Sequence, residues 1–184
     1  MARILVLHAG WHGQAERIAQ RLSQAFAVQR HTVAVACAHA PDVEPEFSTW
    51  DAVVIGGSIH RGKHHPLLAP LVREHLVALR SRPNAFFSVS LSAAGSPRQQ
   101  GIARDMLARF LEATGWEPDT TATFAGALPY SRYRWPLRMM IRFIAMLSGR
   151  DTDTSRDYEY TDWRAVDRFA AEFAQRLKAP EPAP

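Results

Sequence analysis

Cysteine is almost absent from this 184-residue chain, where Cys37 stands alone. A single thiol excludes an internal disulfide framework and any multi-cysteine metal site. Its apolar surroundings predict a buried structural thiol rather than a nucleophile. Long apolar runs are missing too. No uninterrupted stretch reaches the roughly 18 residues of a membrane span. The first residues lead straight into a strand-like segment, without a signal-peptide pattern, so a cytoplasmic protein is expected. Acidic residues are in deficit: 18 Asp and Glu face 22 Lys and Arg, giving a net charge of +4. The resulting pI near 9.7 favours an anionic partner, whether small molecule, lipid or nucleic acid. No local Ser-His-Asp or Cys-His signature is present, so nothing argues for hydrolytic catalysis.

What is present is alternation. Apolar runs at 3–7, 32–36, 52–55, 85–91 and 121–124 read as strands. Ile4-Leu5-Val6-Leu7 is continuously apolar, as expected of a strand covered on both faces. Between the runs, Ala15, Ile18, Ala19, Leu22 and Phe26 share one helical face. Leu68 to Leu79, Ala103 to Leu111 and Val166 to Leu177 carry further helical patterns. Strands alternating with helices pair in parallel through right-handed crossovers. The expected fold is an α/β three-layer sandwich with a five-stranded sheet in the flavodoxin-like order 2-1-3-4-5. One domain spans 1–178, with a Pro-rich tail at 179–184. Ligands of such sheets sit outside the carboxyl ends of the strands, which directs attention to the loops after strands one, three and four.

The first loop reads His8-Ala9-Gly10-Trp11-His12-Gly13-Gln14-Ala15. Backbone N–H groups at the following helix start would suit an anion, and the glycines permit close approach. The second, Gly57-Ser58-Ile59-His60-Arg61-Gly62-Lys63, has P-loop spacing up to its lysine. His64 follows instead of the Ser or Thr that would bind magnesium, so nucleotide hydrolysis is rejected. A glycine-rich turn lying against a flat ring fits better. His60, His64 and His65 lack a third ligand of fixed spacing and are expected to be solvated or to line the site, with no metal. The third loop carries Ser90, Leu91 and Ser92.

An insertion at 129–154 exceeds ordinary connections, with a helix expected over 136–147 and Gly149 as its stop. Tyr130, Tyr133 and Trp135 interleave with Arg132 and Arg134, and Arg134, Arg138 and Arg142 share a helical stripe. Such a helix suits an anionic membrane surface, a large apolar anion, or packing on its own sheet or a second copy of the chain. No nucleic-acid fold surrounds it.

Several stretches together resemble the menaquinone-dependent protoporphyrinogen dehydrogenases: Val53-Val54-Ile55-Gly56, Arg132-Tyr133-Arg134-Trp135, Asp151-Thr152-Asp153-Thr154 and Tyr160-Thr161-Asp162-Trp163. The resemblance covers nearly the whole chain. It implies FMN held by the three loops, oxidation of protoporphyrinogen IX to protoporphyrin IX, and menaquinone or ubiquinone as acceptor. It also implies peripheral contact with the cytoplasmic face of the inner membrane, with Arg132, Tyr133, Arg134, Trp135, Arg138 and Arg142 meeting substrate or membrane. An electron carrier or quinone reductase, and a flavin-free partner-binding descendant, are the alternatives. One departure stands out. Ala9, Gly10 and Ala15 occupy positions where the family has Ser or Thr hydroxyls, each worth about 1 kcal/mol of hydrogen bonding. Backbone N–H groups, helped by His12 or Gln14, are expected to take over.

Overall fold

The computed structural model describes residues 1–39, 46–128 and 157–177. Five parallel strands form its centre: β1 (Arg3–Ala9), β2 (Thr32–Cys37), β3 (Ala52–His60), β5 (Asn84–Ser90) and β6 (Thr120–Ala125). Their order is β2-β1-β3-β5-β6, the expected 2-1-3-4-5 once β4 (Lys63–His64), a two-residue strand pairing only with β3, is set aside. Helix α1 (Gln14–Val28) follows β1. Helices α2 (Leu68–Glu74), α3 (Leu76–Arg80) and α4 (Pro97–Thr114) follow β4 and β5, and α5 (Trp163–Arg176) closes the fold. A separate two-stranded sheet pairs β7 (Ala127–Leu128) with β8 (Tyr158–Glu159).

The continuous apolar runs are explained by two cores, one on each face. Ile4, Val6, Val54 and Phe87 pack with Ile18, Leu22, Phe26 and Phe173, while Leu5, Leu7, Val53, Ile55 and Phe86 pack with Leu68, Val72 and Trp116. Successive strand residues point to opposite faces, so neither face tolerates polar alternation. Cys37 departs from expectation: it ends the edge strand β2 and is only half-buried.

Helix boundaries follow local chemistry. Ser96 and Gln99 form a capping box at α4, Pro97 opens its first turn, and Gly115 ends it at φ 68°. Asp162 caps α5 by accepting from the Arg164 and Ala165 N–H groups at 2.9 and 3.1 Å. The single helix expected over 68–79 is broken at His75, whose φ of −103° leaves the helical region.

Strand ends differ most from the sequence expectation. β1 continues through His8 and Ala9, and β3 runs five residues past Ile55 to His60. Gly56, Gly57 and Ser58 are therefore sheet residues, not a turn. The turn is only Arg61-Gly62, both at positive φ (51° and 77°), the two-residue type I′ connection of a hairpin to β4. The insertion at 129–154 and its helix at 136–147 lie outside the described residues.

Candidate functional site

Strand register brings the chain exits together. Ala9 stands beside Gly57, Ser58 beside Val89, and Ser90 beside Ala125. The first loop then turns into α1 through Gly13 at φ 81°, a left-handed N-cap that glycine adopts without strain. Gly13 offers no side-chain acceptor, so no cap side chain occupies the first-turn N–H groups of α1.

Gly10 marks a close approach between loop and sheet. A Cβ there would lie 2.8 Å from Ser58 Oγ and 3.3 Å from Ala15 Cβ. Ser58 Oγ is buried yet has no hydrogen-bond partner among the described residues. An orphaned hydroxyl costs about 1–3 kcal/mol, and it faces a loop that ends at a helix N-terminus. That combination suits an anionic oxygen seated between Gly10, Ser58 and α1. Ser58, on β3, thus presents a hydroxyl to a first loop that carries none at Ala9, Gly10 or Ala15.

Aromatic rings wall the same edge. Trp11 is 42% exposed, and its ring centroid lies 5.3 Å from His60 and 4.6 Å from His65. His12 meets His60 edge-on at 5.9 Å, and His39 stacks on His65 at 4.7 Å. Burial, with His39 adding a smaller effect, lowers the pKa of His65 and so favours its neutral form. His8 is 7% exposed, and its pKa is lowered chiefly by burial; nearby Glu16 opposes the shift and His39 reinforces it.

Three expectations need correction. The Gln14 side chain is turned away from the anion site: its Nε2 donates to Glu159 Oε1 (2.9 Å) and Thr161 Oγ1 (2.8 Å), and its Oε1 accepts from Arg17 Nη1 at 3.3 Å. His64 is turned inward and only partly exposed. Its Nε2 lies 2.8 Å from Ser88 Oγ, its ring packs on Phe86 and Phe110, and burial pushes its pKa down to about 4. Gly57 is occupied by the core, because a Cβ there would meet Leu68 Cδ1 at 2.5 Å and His64 Cδ2 at 3.2 Å. Ile59 pairs with His64 in the hairpin, while Gly62 is exposed in its turn.

In the third loop, the Ser90 carbonyl accepts from Gly126 N–H at 3.0 Å and Ser90 Oγ accepts from Ala93 N–H at 3.3 Å. Leu91 and Ser92 begin a short 3-10 turn, Ser92–Ala94. The loop hydroxyl therefore serves the turn itself. Arg132, Tyr133, Arg134, Trp135, Arg138 and Arg142 lie outside the described residues. Among the described residues, no group of three or more His, Cys, Asp or Glu is placed to hold a metal ion. None of the described helices is long and apolar enough to cross a membrane.

Comparison with known proteins decides the family. The flavodoxin domain family matches residues 5–155. The protoporphyrinogen IX dehydrogenase [quinone] of Escherichia coli (strain K12) is 37% identical over 178 residues, covering 97% of this chain and 98% of that protein. The chain belongs to the protoporphyrinogen IX dehydrogenase [quinone] family. A member from Leishmania major is 36% identical over 138 residues, covering 75% of this chain and 60% of that one. Solved structures agree on the fold of this family member. An archaeal flavodoxin matches with a TM-score of 0.55 at 17% identity, covering 96% of this chain and 99% of that one. Flavodoxin 2 of Bacillus cereus matches at 0.57 and 17% identity, covering 95% and 99%. The flavodoxin domain makes a flavin the cofactor class of this family member.

Proposed function

We propose that this protein binds FMN and oxidises protoporphyrinogen IX to protoporphyrin IX, delivering the electrons to menaquinone or ubiquinone. The observation that carries this reading is the orphaned Ser58 hydroxyl facing Gly10 at the start of α1, in a chain of this family. FMN, when bound, supplies the two-electron redox chemistry, and conversion of substrate to product requires three such oxidations. The chain's own residues bind and orient. The first-turn N–H groups of α1 and Ser58 Oγ hold the phosphate end. Trp11, His12 and His60 border the loop, and the Ser90–Ser92 turn closes the opposite side.

In the insertion, Arg132, Arg134 and Arg138 meet the substrate propionates, and Arg142 extends the basic stripe toward an anionic bilayer. Anaerobic turnover with a quinone acceptor tests the reaction. Flavin binding without porphyrinogen turnover would favour an electron carrier, and no flavin binding at all would remove both readings. Arg134→Ala with Arg138→Ala should raise the substrate KM by about tenfold, as expected for lost charge-assisted bonds. The same double variant should bind anionic liposomes more weakly. Unchanged KM would remove these arginines from the substrate site.

Ser58→Ala should weaken FMN binding by about tenfold, the loss of one hydrogen bond to a charged group. Flavin-fluorescence quenching reads this directly. Thermal unfolding of the flavin-free variant should stay level or rise slightly, because an unsatisfied hydroxyl has been removed. An equal loss in both measurements would show that Ser58 serves the fold alone.

A further inference from the structure

The long connection between β7 and β8 leaves and re-enters the domain at one place. Ala127 pairs with Glu159 and Leu128 with Tyr158, in antiparallel register, and Tyr160 N–H donates to the Gly126 carbonyl at 3.2 Å. A ladder this short does not hold itself together in water. What secures it comes from a distant part of the chain.

Gln14, 145 residues from Glu159 and 147 from Thr161, is 8% exposed and uses both polar ends of its amide. Its Nε2 bridges Glu159 Oε1 and Thr161 Oγ1, and the Thr161 hydroxyl donates onward to the Ala125 carbonyl at 2.7 Å. Arg17 Nη2 donates to Glu159 Oε2 at 3.0 Å, and its guanidinium lies 5.5 Å from the Trp163 ring centroid. The ion pair is half-exposed and contributes modestly. The buried amide is the specific part, since an amide placed between a carboxylate and a hydroxyl fixes both partners in one geometry.

We propose that Gln14, Glu159 and Thr161 form a positioning unit seating the base of the 129–157 connection on the first turn of α1, and that this unit sets substrate affinity rather than flavin affinity. It rests on the porphyrinogen reading above. The first turn of α1 then faces two ways: its N–H groups toward the phosphate, and the Gln14 side chain toward the arm that carries the arginine-rich insertion. The Gln14 side chain positions the arm: both of its amide donors are taken by Glu159 and Thr161, which leaves none for the cofactor.

Gln14→Glu is the direct test, because it places two carboxylates together where an amide joined them. Three readouts are compared in the full-length protein: the FMN dissociation constant, the KM for protoporphyrinogen IX, and the rate of tryptic cleavage within 129–157. The expected result is a KM raised about tenfold with faster cleavage in Gln14→Glu and in Thr161→Val, and an FMN constant changed by less than about twofold in Thr161→Val, which adds no charge beside the phosphate. Combining Gln14→Glu with Glu159→Gln restores an amide–carboxylate pair and should recover most of the KM and the slow cleavage. Thr161→Val gives the same direction if Gln14→Glu does not fold.

Unchanged KM and cleavage would overturn the proposal. So would an FMN constant in Thr161→Val that rises as far as the KM, since the unit would then act on the flavin. A wild-type protein that binds FMN but does not turn over porphyrinogen would defeat the functional reading, and the cleavage comparison with its double-variant recovery would then decide the clamp by itself.

Discussion

Acidification from about pH 6.5 to about pH 4 should remove on the order of 3 kcal/mol of folding stability through His64 alone. In the unfolded chain this histidine takes up its proton near 6.5, whereas burial in the folded protein pushes that event down to about 4. Between those values the unfolded state binds more protons than the native state. Stability therefore rises with pH across the window, and falls on acidification by up to about 1.4 kcal/mol per pH unit. Above 6.5 both states hold a neutral ring and the contribution is constant. Below about 4 both are protonated, and the loss is complete. Among the described residues no carboxylate offsets this: the ring's partner is Ser88 Oγ, and its neighbours are Phe86 and Phe110.

Chemical denaturation in a pH series reads this slope. His64→Gln keeps a hydrogen-bonding side chain for Ser88 but cannot titrate, so its curve should be markedly flatter between pH 6.5 and 4. The buried His8, also shifted downward, leaves a residual slope of the same sign. An identical pH dependence in wild type and His64→Gln would show that the titration lies elsewhere.

Gly56→Ala should destabilise the fold by about 3 kcal/mol, at the upper end of overpacking effects. Gly56 lies fully inside β3, and a Cβ there would enter the space of the Phe87 ring, against Cζ, Cε1 and Cε2. Phe87 is completely buried and packs on Phe124 at 5.9 Å, so its ring has no solvent side to move toward. Urea unfolding should show a lower midpoint with a similar slope. Trimming the ring with Phe87→Leu in the same chain should recover part of the loss, so that the double variant is more stable than the two single effects predict. Additive losses would mean that the two residues do not share this space. The ring lying flat on this backbone is the protein's own, and Gly56 is a packing residue rather than a cofactor contact.

This glycine shows where sequence reasoning stops. Gly56-Gly57-Ser58 has turn composition, yet β3 runs straight through it because Phe87 from β5 and Leu68 from α2 fill the missing Cβ positions. Nothing local distinguishes a glycine required by a turn from one required by a neighbouring side chain. Gln14 and His64 follow the same logic. An amide beside a glycine loop suits an anion, and a histidine beside two others suits solvent, until partners at Glu159, Thr161 and Ser88 claim them.

The sequence by itself determined the alternation of strands and helices, the five parallel strands and their order. Those features follow from periodicity and connection rules that act within a few residues or one crossover. Tertiary structure alone decided where β1 and β3 end, that Ser58 rather than a first-loop hydroxyl faces Gly10, and that Gln14 secures the base of the insertion. Each of these depends on which polar group is left without a partner once distant segments pack, a quantity with no local pattern.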